Sequence, residues 1–330
     1  VLVGAERGVE AEVLPARPFR HYLLPAEPIY RRAWWRNLRW PLVLWRVLRR
    51  GAQVLAAERP ALAVSTGGYA AGPIMWQAAR RGVPLALQEQ NAYPGVTTRR
   101  LARRARQIHL GFPEARSLLS PGRATEVYDS GNPIVPPPDP RPNRAEARAG
   151  LGVPTDRPVL LVVGGSQGAL SINRAVAAAL AAGALDGVTL LWSTGRHSWE
   201  RYRSLDAPPA RRVRAFWDPI GEAYAAADLV VARSGAMTTA ELLAWRLPAI
   251  LVPLPRAAAN HQYHNALAVA AAGAALHLPD HELRPDRLAA EVRRLLDAPD
   301  RLRKMGRAAA ARGRPKAAEE IAKRLLAVVS

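Results

Sequence analysis

Cysteine is absent from the 330 residues. That excludes disulfides, thiolate metal sites and a cysteine nucleophile, and it suits a reducing compartment. Lysine is scarce too, standing only at 304, 316 and 323, so the net charge of +20 is almost all arginine. No signal peptide is read at the start, and no charge-free apolar run approaches the ~18 residues of a spanning helix. Two common phosphate-binding motifs are also missing, the Walker Gly-Lys-Ser/Thr and the dinucleotide G-x-G-x-x-G. Hydrophobic residues make up 49% of the chain, which is ample for real cores and argues against general disorder. Two domains are the natural division at this length.

What is present begins with Leu160-Leu161-Val162-Val163-Gly164-Gly165-Ser166-Gln167-Gly168-Ala169-Leu170. An apolar strand meets a glycine-rich turn and then a helix-like segment. Such a turn clears side chains so that backbone N–H groups and a helix N-terminus can approach a phosphate. Two further clusters follow, Arg233-Ser234-Gly235-Ala236-Met237-Thr238-Thr239-Ala240-Glu241 and Asn260-His261-Gln262-Tyr263-His264-Asn265.

The spacing predicts strands at 158–163, 188–193, 228–232 and 248–252 with helices between them, which argues for a parallel sheet covered on both faces. Earlier, 61–65 and 84–88 read as strands that run into Thr66-Gly67-Gly68-Tyr69 and Gln88-Glu89-Gln90-Asn91. Polar residues at strand carboxyl ends are where open α/β sheets bind ligands. Between the two series lies Pro133-Ile134-Val135-Pro136-Pro137-Pro138-Asp139-Pro140-Arg141-Pro142, too proline-dense for a helix or central strand and read as a linker. The last segment, 316–329, has the period of an amphipathic helix.

Residues 31–50 hold seven Arg, four Trp and no acid. Pro41 suits a first helical turn, and Val43, Leu44, Val47 and Leu48 recur at helical spacing. Exposed, this segment would place Trp34, Trp35, Trp40 and Trp45 at headgroup depth and Arg36, Arg39 and Arg46 on lipid phosphates. Arg99, Arg100, Arg103, Arg104 and Arg106 form a second basic cluster. The overall charge leaves two readings open, an anionic partner or the arginine bias of a GC-rich genome. No nucleic-acid-reading motif accompanies the arginines, so nucleic acid is not expected as a partner.

The residues at 164–169, 233–241 and 262–265, with those at 66–69, 89–91 and 131–133, resemble the MurG family in order over essentially the whole chain. Those enzymes are the peptidoglycan N-acetylglucosaminyltransferases that convert lipid I to lipid II. The resemblance implies the GT-B fold, two Rossmann-like parallel-sheet α/β domains facing across a cleft. It implies an N-terminal acceptor and membrane-facing domain at 1–134, a linker at 135–142 and a donor domain at 143–314. Residues 315–330 would form a helix packing back on the first domain. UDP-GlcNAc would be the donor, undecaprenyl-diphospho-MurNAc-pentapeptide the acceptor, and the cytoplasmic face of the plasma membrane the peripheral location. An anionic membrane surface would be a further partner. Alternatives are a donor-binding protein without transfer, or a related GT-B enzyme on UDP-GlcNAc such as an epimerase.

By the same resemblance Ser166, Gln167 and Gly168 cradle the UDP phosphates, and Glu241 takes the ribose hydroxyls. Phe216 and Trp217 meet the uracil, while Ala236 and Met237 meet sugar and ribose through backbone N–H groups. Gln262 and Asn265 hydrogen-bond the GlcNAc hydroxyls, and Tyr69 and Asn91 are the acceptor-site candidates. No cofactor is expected. His261 and His264 are read as histidines beside a nucleotide site and not as metal ligands.

Three departures stand out. The family opens with a strand and a Gly-Gly-Thr-Gly-Gly-His loop, whereas Val1-Leu2-Val3-Gly4-Ala5 reads as a later strand. An upstream segment of about 30 residues, one βα portion, is therefore expected. Val135 stands where the family often has Arg, and Gln88 where it has His. No residue of 1–330 is assigned as general base.

Overall fold

A computed structural model describes residues 1–27, 34–165, 168–255 and 257–329. Arg31, Arg32, Ser166 and Gln167 lie outside these, as do the side chains of Trp34 and Arg36. The chain divides into two compact units. The first comprises Val1–Gln90, Pro94–Ser130 and Glu320–Ser330, the second Asn91–Tyr93 and Gly131–Glu319.

In the first unit, strands β1 (Leu2–Ala5) and β2 (His21–Leu24) form a parallel pair. A second parallel sheet runs β3 (Ala63–Ser65), β4 (Leu85–Glu89), β5 (Gln107–Leu110), β6 (Glu126–Tyr128) in that spatial order. Leu85, Leu87, Ile108 and Leu110 are buried in its core. Parallel strands covered on both faces are buried along their length, and β4 and β5 are buried at every residue, the polar Gln88, Glu89, Gln107 and His109 included.

The arginine- and tryptophan-rich segment forms helix Trp40–Glu58, with Pro41 in its first turn. Val43, Val47, Gly51, Val54 and Leu55 are its buried residues, a stripe at helical spacing. Gly51 faces helix Ala71–Arg80, where a Cβ would stand 2.8 Å from Gln77 Oε1 and make that flexible side-chain tip shift. The opposite face stays exposed.

The chain's last residues complete the first unit. On helix Ala317–Val329, the Arg324 guanidinium lies 3.9 Å over the Tyr128 ring. Tyr128 in turn stacks on His109 at 5.5 Å. His109 is 1% exposed. Its Nε2 bonds Gln107 Oε1 at 3.3 Å and its Nδ1 bonds Ser130 Oγ at 2.9 Å. An amide oxygen only accepts, so the proton sits on Nε2 and Nδ1 accepts from the serine.

The second unit carries a six-stranded parallel sheet. Its strands are β7 (Val159–Val163), β8 (Thr189–Ser193), β9 (Arg211–Arg214), β10 (Leu229–Ala232), β11 (Ala249–Leu251) and β12 (Ala275–His277). The spatial order is β12-β11-β10-β7-β8-β9. Taken in chain order this is the doubly wound dinucleotide-binding arrangement. The order reverses between β7 and β10, where Leu161 pairs Val230 and Val163 pairs Ala232. Crossovers leave the sheet in opposite directions there, so a crevice opens at the carboxyl ends of these two strands.

Asp228, just before β10, anchors the other end. Its Oδ2 accepts from Arg148 Nη2 at 2.5 Å and from the Val159 N–H at 2.8 Å, and its Oδ1 from Arg144 at 2.8 Å. Proline-dense residues 136–141 belong to this unit. They line a groove of about 850 Å³ with Arg246 and Pro315, Lys316, Ala318 and Glu319, and Arg141 donates to the Ala244 carbonyl at 2.8 Å.

Burial, aided by the positive Arg324, holds the His109 imidazole down to about 4 from an ordinary 6.5. The unfolded chain therefore binds a proton near pH 6.5 that the folded chain refuses until about pH 4. Stability from this group is present above pH 6.5 and is lost as pH falls toward 4, by at most about 3 kcal/mol. His109→Gln should flatten that part of the pH dependence in urea melts between pH 4 and 7; an unchanged slope would refute the assignment.

Candidate functional site

The glycine turn follows β7. Gly164 has no room for a side chain, since a Cβ would lie 2.4 Å from the Ala169 nitrogen. Gly168 sits at φ +82°, and a Cβ there would meet the Thr194 carbonyl at 2.4 Å. Both glycines are therefore demanded by close backbone approach. Helix Leu170–Ala181 follows, and its N-cap Ala169 offers no side-chain cap to the first-turn N–H groups. Asn173 locks the helix to the neighbouring strand end: it donates to the Thr194 carbonyl at 2.7 Å and accepts from Trp192 Nε1 at 3.0 Å.

The second strand end belongs to β10. Arg233, 8% exposed, reaches four partners. Its Nη1 donates to Asp280 Oδ1 at 2.6 Å and to the carbonyls of Val252 and Pro253 at 3.2 and 3.0 Å. Its Nη2 donates to Ser171 Oγ at 2.7 Å, and that hydroxyl donates to Asp280 at 2.6 Å. One guanidinium thus ties the ends of β10 and β11 to the helix behind the glycine turn.

Next come Ser234, Gly235 and helix Ala236–Ala244, again without a side-chain cap. Asn132 of Gly131-Asn132-Pro133 donates to the Ala236 carbonyl at 3.3 Å. Met237 is exposed on the first turn. One turn further, Glu241 Oε2 accepts from the Tyr224 hydroxyl at 2.8 Å. Burial raises the Glu241 carboxyl above its ordinary range, and the Tyr224 hydrogen bond opposes that rise.

Gln262 opens helix His261–Ala271, and its Oε1 accepts from the Leu254 N–H at 2.9 Å. Ser234 Oγ donates to the Gln262 carbonyl at 2.8 Å, so the two clusters meet.

Asn265 departs from expectation. It is fully buried, donating to Asn91 Oδ1 and the Ser234 carbonyl at 3.1 Å each and accepting from the Ala92 N–H at 2.8 Å. A side chain so committed ties the Ser234 strand end to Asn91 and Ala92. Its partner Asn91, expected at the acceptor, therefore has one oxygen engaged by this brace. Trp217 departs as well. Its ring is 2% exposed with the Arg214 guanidinium 4.2 Å away, so only Phe216 of that pair presents an aromatic face. His264 stacks on Tyr93 at 4.9 Å.

In the first unit, Tyr69 is exposed and its hydroxyl donates to the Arg7 carbonyl at 2.8 Å. The same unit exposes Trp35, Leu38, Leu42 and Trp45, with the Arg49 guanidinium 5.4 Å from the Trp45 ring. Arg39 and Arg46 line a cavity of about 110 Å³ with Glu6, Arg7 and Glu27. Trp76 is exposed as well, carrying Arg80 at 4.8 Å, and no sequence pattern marked it. Among the described residues no helix is long and apolar enough to cross a membrane.

The chain matches the glycosyltransferase family 28 N-terminal domain over residues 1–110 and the C-terminal domain over 159–321. It is 41% identical to a UDP-N-acetylglucosamine–N-acetylmuramyl-(pentapeptide) pyrophosphoryl-undecaprenol N-acetylglucosamine transferase of Salinibacter ruber, over 99% of this chain and 88% of that protein. The Moorella thermoacetica protein of the same name is 42% identical, over 99% and 90%. The chain belongs to this glycosyltransferase family. Crystalline Acinetobacter baumannii MurG superposes with a TM-score of 0.77 at 25% identity, over 98% of this chain and 90% of that one. The fold is therefore GT-B, as the family resemblance implied. A putative UDP-N-acetylglucosamine 2-epimerase of Listeria monocytogenes superposes at 0.66 with 16% identity, over 97% and 85% of the two chains, and shares the fold alone.

Tyr224, Ser171 and Asp280 were missed by sequence reasoning. Tyr224 sits in an alanine-rich helix where a core aromatic is ordinary, and the other two carry no motif. Asn265→Ala should cost about 2–4 kcal/mol in urea unfolding, because three buried bonds are lost and their partners are left unsatisfied. A loss below 1 kcal/mol would mean the brace is not structural.

Proposed function

We propose that this chain transfers GlcNAc from UDP-GlcNAc to the C4 hydroxyl of MurNAc in lipid I, giving lipid II for peptidoglycan. The observation that carries this reading is the switch point of the six-stranded sheet. There the glycine turn after β7 and the Gly235–Glu241 stretch after β10 stand on adjacent strands. A diphosphate would lie against the Gly164–Gly168 backbone and the uncapped helix N-terminus. Ser166, Gln167 and Gly168 are the proposed phosphate contacts, and Glu241 the ribose ligand. Phe216 is offered for the base, the backbone of Ala236 and Met237 for ribose and sugar, and Gln262 for the GlcNAc hydroxyls.

The chemistry is a single displacement. The acceptor oxygen bonds the anomeric carbon from the face opposite UDP, the bond from that carbon to the diphosphate breaks, and UDP leaves with the electron pair. The configuration inverts, and the hydroxyl proton passes to a base. Negative charge grows on the diphosphate, so preorganised backbone donors at that point stabilise the transition state more than the ground state. Tyr69 and Asn91 are offered on the acceptor side.

Location at the cytoplasmic face of the plasma membrane fits the exposed Leu38, Leu42 and Trp45 with the arginines around them. Tryptophan favours the headgroup level, and arginine adds attraction to anionic lipid.

The test is transfer of labelled GlcNAc from UDP-GlcNAc to a lipid I analogue. Formation of the β-linked disaccharide with release of UDP is expected. UDP-GlcNAc binding without a glycosidic product, or its conversion to an epimer, would overturn the reading. For the surface, Leu42→Glu with Trp45→Glu should weaken sedimentation with phosphatidylglycerol vesicles at least about fivefold, with UDP affinity unchanged. Equal sedimentation would remove this face from the membrane contact.

A further inference from the structure

Tyr224 is a buried hydroxyl that the transfer chemistry does not use. It stands on helix Gly221–Ala226 and is 2% exposed. Its oxygen reaches Glu241 Oε2 at 2.8 Å across to the next helix. A neutral tyrosine beside a carboxylate donates, so this bond fills one acceptor position of Oε2 and leaves Oε1 free to accept.

The surroundings hold the ring rigidly. Trp245 packs on Tyr224 with ring centres 5.8 Å apart, and its indole fits over Gly221, where a Cβ would come within 3.3 Å. Trp245 is tied back to the same turn through its N–H to the Glu241 carbonyl at 2.8 Å. The helix bearing Tyr224 directly follows the stretch holding Phe216. One hydrogen bond therefore links the segment offered for the base to the carboxylate offered for the ribose.

We propose that Tyr224 is a positioning residue for the donor, its hydroxyl fixing Glu241 so that the other carboxylate oxygen meets the ribose hydroxyls of the uridine diphosphate. This rests on the reading of Glu241 as the ribose ligand. Tyr224 also favours the ionised carboxylate, because its bond opposes the rise that burial causes. Among the described residues, Tyr224 is the titratable group that acts on Glu241. Helices His261–Ala271 and Pro299–Arg312, which pack against its helix, bring no charge that shifts it.

The sign follows. Without the hydroxyl, the Glu241 carboxyl rises further, and it protonates at a higher pH than in the native chain. Donor affinity of Tyr224→Phe should then fall most at low pH.

The experiment measures Kd for UDP and for 2′-deoxy-UDP by calorimetry at pH 6 and pH 8, on the native chain, Tyr224→Phe, Glu241→Gln and the double variant. For UDP, Tyr224→Phe is expected to weaken binding about tenfold at pH 6 and about threefold at pH 8. For 2′-deoxy-UDP the difference should stay within about twofold. Glu241→Gln should weaken UDP binding, and adding Tyr224→Phe to it should change nothing more. Equal weakening of both nucleotides at both pH values would make Tyr224 merely structural and overturn the proposal. Native UDP affinity in Tyr224→Phe, with weakened binding in Glu241→Gln, would also overturn it while leaving the ribose reading intact. Native affinity in Glu241→Gln would overturn the ribose reading and this proposal together.

Discussion

The second unit depends on one buried cation, Arg233. Arg233 would carry a large desolvation cost if its charge stood alone in the interior. It does not, because Asp280, Ser171 and two backbone carbonyls surround it. Those partners come from three different segments that share only their nearness to the carboxyl edge of the sheet. Satisfying the arginine therefore requires the ends of β10 and β11, the start of helix Leu170–Ala181 and the turn at Asp280 to come together. The start of helix Leu170–Ala181, which follows the glycine turn, is held by the same contacts through Ser171.

A different constraint governs the space in front of that frame. Cβ atoms at Gly164 and Gly168 would each collide with backbone at 2.4 Å. Backbone cannot swing aside as a flexible side chain can. The strand-to-helix turn and the loop after β8 are thus fitted to each other with no side chain between them. Asn173 closes the same contact from below, joining Trp192 to the Thr194 carbonyl. The site's polar contacts and its tight glycines are two parts of one packing arrangement.

How much of this could be read beforehand follows from where each signal lies. The strands β7, β8, β10 and β11 were legible because strands buried on both faces are largely apolar, and short runs between helical segments have no other reading. The strand-to-helix step at 163–170 was legible because an apolar run, a glycine cluster and a helical period follow one another there. The direction of Trp217 was not, since a ring next to Phe216 can face a ligand or the core, and only the packing of Arg214 decides. The internal bonds of Asn265 were hidden for a related reason. Spacing of three from Gln262 puts both on one helical face, but burial depends on Asn91 and Ala92, more than 170 positions away in sequence. Arg233 was quoted as part of a motif, yet its partners lie on segments that no local pattern connects.

The arginine excess also resolves into parts with different causes. Arg148 donates to the carbonyls of Ala226, Thr155 and Arg157 besides Asp228. Arg293 holds the carbonyls of Ala184 and Asp186, and Arg212 that of Leu151. These guanidiniums tie down loop carbonyls, a task for which a planar fork of five N–H groups suits better than an ammonium. Their charge is internal to the fold and says nothing about a partner. Arg39, Arg46, Arg49 and Arg80 differ, because they stand beside exposed or cavity-lining positions with tryptophan among them. Net charge counts both populations alike. Only their placement separates the arginines that build the protein from those that face what it meets.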